Sequence, residues 1–207
     1  MKVLRSILSW VLPILAGLAI AMAIKTYWFQ PVQVEGRSME PNLTNKERVL
    51  AMKNEEIRRG SVIIFDAYGE DPSQTESKLF VKRVIAMPGD TVSAEGDVVK
   101  VNGKEINQDY LGAADKVATT EPDMRQIGNW TSLKDLGNKM NWQRDKPLTV
   151  PEGQYFVMGD NRAVSNDSRY WGFVSDDKVL GVVQTPFWAD ADQKKNINKQ
   201  WEDFYKN

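Results

Sequence analysis

The 207-residue sequence contains no histidine and no cysteine. Without histidine there is no Ser-His-Asp triad and no imidazole ligand for zinc. Without cysteine there is no thiol nucleophile, iron–sulfur cluster or disulfide. Acid–base chemistry in this chain therefore falls to Lys, Asp, Glu or Tyr. An excess of either charge is also missing: 27 basic against 28 acidic residues leave a net charge of −1. Binding to a phosphate backbone needs a basic excess, so no nucleic-acid partner is expected. No Walker-type or G-x-G-x-x-G run occurs, and neither a cofactor nor a metal is expected.

What is present begins with a run of 19 uncharged residues, Ser6 to Ile24, between Arg5 and Lys25. As a helix this run matches the roughly 30 Å hydrocarbon core of a bilayer. Trp10 near one end and Tyr27, Trp28 and Phe29 past the other suit the two membrane–water interfaces. Lys2 and Arg5 favour a cytoplasmic N-terminus, and long following domains cross largely regardless of charge. Residues 1–5 are thus read as cytoplasmic, 6–26 as a single-pass anchor in the cell membrane, and the remainder as extracytoplasmic. The competing reading is a leader cut after the small-x-small sequence Ala21-Met22-Ala23. The length of the run and its aromatic flanks favour the anchor.

After residue 29 the pattern turns to β. Gln30–Val34, Arg48–Met52, Ser61–Phe65, Leu79–Met87, Tyr155–Met158 and Val179–Val183 read as strands. Asn102-Gly103, between Val98–Val101 and Lys104–Ile106, predicts a hairpin with a type I′ turn. A mainly β domain of antiparallel sheets is expected over 27–106 and 149–189. Residues 107–148 read as a polar inserted lobe, and 190–207 as a polar C-terminal tail with helical character.

Three stretches carry possible chemistry. Ser38 lies in Gly36-Arg37-Ser38-Met39-Glu40-Pro41, just after the first strand, and taken alone reads as an ordinary serine of a strand-to-turn junction. Lys82 lies in Phe80-Val81-Lys82-Arg83-Val84-Ile85, where alternation puts Phe80, Lys82 and Val84 on one face and Val81, Arg83 and Ile85 on the other. Desolvation there lowers the amine's pKa and makes a base; an ordinary lysine is only about 0.4 per cent neutral at pH 8. The alternative is an edge strand whose lysine reaches back to water. The third stretch, Gly159 to Gly172, is rich in Asp, Asn, Ser and Arg. In it Asp160 and Asp167 are candidates to fix Arg83, Arg162 or Arg169, and the alternative is a solvated loop. A calcium loop is disfavoured, because the EF-hand spacing and its closing glutamate are missing.

Taken together, Ser38-Met39-x-Pro41-x-Leu43, Lys82-Arg83-Val84-Ile85-Ala86-x-Pro88-Gly89-Asp90, and Gly159-Asp160-Asn161-Arg162 through Ser165-x-Asp167-Ser168-Arg169 resemble the signature blocks of type I signal peptidases, in the family's order and behind an N-terminal anchor. The resemblance implies a fold of antiparallel sheets with a variable inserted lobe, and cleavage of secretory preproteins after Ala-x-Ala sites at a phospholipid membrane. It implies Ser38 as nucleophile, Lys82 as general base, and Ser165 as the hydroxyl orienting the lysine amine. It further implies Asp160–Arg83 and Asp167–Arg169 as bracing pairs, and Val34, Met39, Leu43, Phe80 and Val81 as the lining of the substrate pockets. Three departures stand out: Asn42 in place of the usual threonine, Val164 in place of asparagine, and Gly36 where some members carry a serine that helps hold the oxyanion. Two other readings stay open: another self-processing Ser-Lys peptidase, and an anchored extracytoplasmic binding domain without activity.

Overall fold

The computed structural model describes residues 2–123 and 125–206; the side chains of residues 2–8, 23 and 24, including the flanking charges Lys2 and Arg5, lie outside the described set. Helix α1 spans Lys2–Tyr27 with Pro13 inside it. Over Ser9–Tyr27 it is apolar and none of it is buried, and among the described residues it is the only helix long and apolar enough to cross a membrane. Strand β1, Phe29–Gln33, follows directly. The junction is tied to β2, Arg48–Met52, by Lys53, whose N–H donates to Trp28 O and whose amine donates to Thr26 O.

The main sheet has seven antiparallel strands in the order β1-β2-β10-β3-β4-β8-β9. Its centre is β3, Val62–Asp66, flanked by β4, Leu79–Ala86, and β10, Val179–Gln184. Beyond β4 come β8, Gln154–Met158, and the short β9, Val174–Ser175. A second sheet comprises β5, Val92–Glu95, β6, Val98–Val101, and β7, Lys104–Glu105. The β6–β7 turn is Asn102-Gly103 with φ of 54° and 76°, the positive values a type I′ turn requires.

Two-residue alternation sorts the core. Val62, Ile64 and Val81 enter one cluster with Val34, Met39, Leu43 and Ile197. Ile63, Phe65, Val84, Val157 and Trp171 form another on the opposite face. A third cluster fills the space between the sheets, where Ile85, Phe156 and Met158 meet Val99, Val101, Trp130 and Trp142. Residues 107–148 hold α2, Ala113–Val117, and α3, Leu133–Lys139, and send Trp130, Leu133, Leu136 and Trp142 into that third cluster. The stretch 168–171 forms one short helix, α4, and the polar C-terminal segment forms α5, Ala191–Asn198.

Candidate active site

Ser38 sits in the loop between β1 and β2. The loop is closed at its base by two hydrogen bonds, Val34 N–H to Glu47 O and Lys46 N–H to Val34 O. Met39 and Leu43, both almost wholly buried, draw it down onto the core and leave the half-buried Ser38 at its crest. Asn161 N–H donates to Ser38 O at 3.0 Å, which pins the crest to the loop after β8.

Lys82 comes up from β4. That strand is interior, paired to β3 through Ile63↔Lys82 and to β8 through Arg83↔Met158, so the edge-strand alternative does not hold. Only 4 % of Lys82 is exposed. Its Nζ lies 2.8 Å from Ser38 Oγ and 3.0 Å from Val81 O, with the Phe80 ring centroid 5.0 Å away. Burial pushes the amine down to about 8, while the charges of Asp167 and Asp160 pull it back up. Desolvation wins because neither carboxylate bonds the amine directly; each is committed to an arginine.

Those commitments are complete. Asp160 receives Arg83 Nε at 2.8 Å and Nη2 at 2.7 Å, a two-pronged pair with both side chains fully buried. Asp167 receives Arg169 Nε at 2.9 Å and Nη2 at 3.0 Å, again with both fully buried. Burial opposes ionisation of Asp167, but Arg169 and the Gly159 N–H hold its carboxyl below the usual carboxylate range. Arg162 takes neither acid. It donates to Gly159 O, Gln108 Oε1, Thr119 Oγ1 and Tyr110 Oη, all neutral acceptors.

Ser165 is fully buried beside this machinery, but its hydroxyl has no hydrogen-bond partner among the described residues. The bond to the lysine amine implied by the resemblance is not formed; Nζ meets Ser38 Oγ and Val81 O and keeps capacity for a third partner. Gly159 explains how the Ser38 loop and the loop after β8 come so close: a Cβ there would collide with Ser165 Oγ and Ser38 O. Val34, Met39, Leu43 and Val81 gather in one apolar cluster beneath the Ser38 loop. Phe80 packs on the other face, edge-on to Phe65 with ring centroids 6.0 Å apart.

Sequence reasoning missed the outer support. Gln108, Tyr110 and Thr119 hold Arg162, and Ala118 O and Thr119 O receive Arg169 Nη1. Arg83 also stacks over the Tyr110 ring at 4.0 Å. None of these residues lies near a signature block in the chain. Asn42 stood out in sequence only as a departure from the usual threonine; its burial is a finding of the structure.

The sequence matches the family described as Signal peptidase, peptidase S26, over residues 7–188. Signal peptidase IB of Staphylococcus aureus is 32 % identical over 200 residues, covering 95 % of this chain and 97 % of the relative. Signal peptidase I of Bacillus licheniformis is 35 % identical over 196 residues, covering 92 % and 94 %. The crystal structure of a signal peptidase I from Enterococcus faecalis is 34 % identical, covers 62 % of this chain and 97 % of its own, and has a TM-score of 0.46. The family match runs from within α1 to just past β10 and so takes in Ser38, Lys82 and the Asp160 loop. At this identity, over nearly the full length of the curated relatives, the chain belongs to the signal peptidase family, peptidase S26.

Proposed function

We propose that this chain is a membrane-bound serine endopeptidase that removes N-terminal signal peptides from secretory preproteins, with Ser38 as nucleophile and Lys82 as general base. The observation that carries the reading is the 2.8 Å contact between Lys82 Nζ and Ser38 Oγ at a buried site in a chain without histidine or cysteine. The neutral amine takes the Ser38 proton as Oγ bonds to the scissile carbonyl carbon. The resulting ammonium then gives that proton to the departing amine nitrogen. A water, deprotonated by the same amine, attacks the acyl carbon; the C–Oγ bond then breaks, the ammonium returns its proton to Ser38 Oγ, and the new carboxylate leaves. The Ser38 N–H is one donor to the oxyanion. With glycine at position 36 no side-chain hydroxyl there adds a second, and one donor is worth about 10²–10³ in rate.

Arg83–Asp160 and Arg169–Asp167 fix the strand and loop that carry the amine. Ser165, whose hydroxyl is buried and unpaired, is assigned to hold the amine once the Ser38 proton has moved. Val34, Met39, Leu43, Phe80 and Val81 are assigned to the substrate pockets. The preference for small side chains, as in Ala-x-Ala, belongs to the same assignment. Helix α1 is assigned as the anchor over residues 6–26, with residues 1–5 cytoplasmic and the remainder of the chain extracytoplasmic. Cleavage of a preprotein by the purified full chain in detergent tests the dyad. Ser38→Ala and Lys82→Ala should each abolish cleavage with the fold intact. A Lys82→Ala protein that is folded and keeps a tenth of wild-type kcat would refute the assignment.

A further inference from the structure

The C-terminal segment reads in sequence as a polar tail, yet it is bonded into the support of the site. Ile197, 1 % exposed, packs in the same cluster as Met39 and Leu43, the residues that seat the Ser38 loop. Asn196 O accepts from Arg83 Nη1 at 2.9 Å. Carbonyls in the last turn of a helix have no partner within it, and a cation suits that end. The Asn196 side chain donates from Nδ2 to Asn42 Oδ1 at 2.9 Å. Gln193, one turn earlier, donates from Nε2 to Asn42 O at 3.0 Å.

Asn42 is the meeting point. It is 6 % exposed, and its Nδ2 donates both to Asp160 Oδ2 at 2.9 Å and to Tyr110 O at 3.0 Å. Both of those partners only accept, so the amide orientation is fixed: the NH₂ faces them and the oxygen faces Asn196. Every polar position of the side chain is used. A threonine at 42, with one hydroxyl, has a single proton to donate and so cannot serve Asp160 and Tyr110 together.

We propose that α5 is a positioning element for catalysis, acting through an Asn196–Asn42 bridge that holds the Arg83–Asp160 pair and the Ser38 loop in register with Lys82. The proposal rests on the Ser38–Lys82 reading above. Asn42 and Asn196 are positioning residues: Asn42 lies four residues from Ser38, and Asn196 bonds Arg83, the neighbour of Lys82. Neither bonds Ser38 or Lys82 itself.

The test uses the full chain in detergent and follows cleavage of a preprotein, with rates normalised to folded protein by thermal melting. Asn196→Ala and Asn42→Ala should each lower kcat about five- to tenfold, with KM within twofold of wild type. The double variant should be no worse than Asn42→Ala alone, because Asn42→Ala already removes the bridge that Asn196→Ala breaks. Asn196→Ala is the cleaner of the two, since alanine favours the helix. Single-variant kcat values within twofold of wild type would overturn the proposal. So would losses that multiply in the double variant, or a fall in kcat that disappears on normalisation to folded protein. Lys82→Ala is run alongside. An inactive Lys82→Ala with a normal Asn196→Ala sinks the bridge alone, whereas an active Lys82→Ala sinks the dyad beneath it.

Discussion

In the proposed mechanism Lys82 serves two opposed demands. To act as a base near neutral pH its amine must be desolvated, and desolvating an amine that the unfolded chain keeps charged costs stability. With the folded value pushed down to about 8, the shift from about 10.5 corresponds to about 3 kcal/mol. The sign follows from proton binding. Below about pH 8 the lysine is charged in both states and the full cost is present. Between pH 8 and 10.5 the unfolded chain binds more protons, so stability rises with pH, and above 10.5 the cost is gone. Lys82→Met should therefore be inactive yet more stable than wild type at pH 7, by up to about 3 kcal/mol, with the gap closing towards pH 10.5. Denaturant unfolding at several pH values checks this, and a variant less stable than wild type at pH 7 would contradict it. Alternation along Phe80–Ile85 set Lys82 between apolar face-neighbours but left an edge-strand lysine reaching water as open as a buried one. That β4 is interior was not legible, since pairing to β3 and β8 depends on residues far along the chain.

At the scale of elements, the site is a junction of three segments: the β1–β2 loop, β4 and the β8–α4 loop. Gly159 is where the two loops touch. Adding one methyl there displaces Ser38 O and Ser165 Oγ, both tied to well-packed backbone that cannot yield cheaply. Gly159→Ala should cost about 1–3 kcal/mol of stability and lower kcat at least about 100-fold. A thermal melt together with a preprotein assay reads both, and a variant with near-wild-type kcat would show that the junction is looser than described. The strands around this junction were largely legible because each is a short apolar run bounded by turn residues. The supports were not. Asn196 lies 154 residues from Asn42, and nothing in a polar eight-residue helix announces a partner at that distance. Gln108 and Thr119 are similarly silent, because a buried polar contact with Arg162 leaves no period in the sequence.

For the whole molecule, the proposed function joins the apolar α1 to the Ser38–Lys82 pair as an endopeptidase held at the membrane. Protein isolated from membranes should have the intact mass of a chain that retains α1; a product beginning at Ile24 would mean that Ala21-Met22-Ala23 is a cleavage site and that the domain is released. The central claim, that a desolvated lysine is the base, is tested most directly by kcat/KM against pH on a peptide with alanine at both small positions, in detergent. That ratio reports groups of the uncomplexed enzyme. The amine must be neutral to accept the Ser38 proton, so activity should rise through an apparent pKa of about 8 and be lost reversibly in acid. A limb at about pH 4–5 followed by a flat profile above 6 would identify a carboxylate base instead, and would contradict the account.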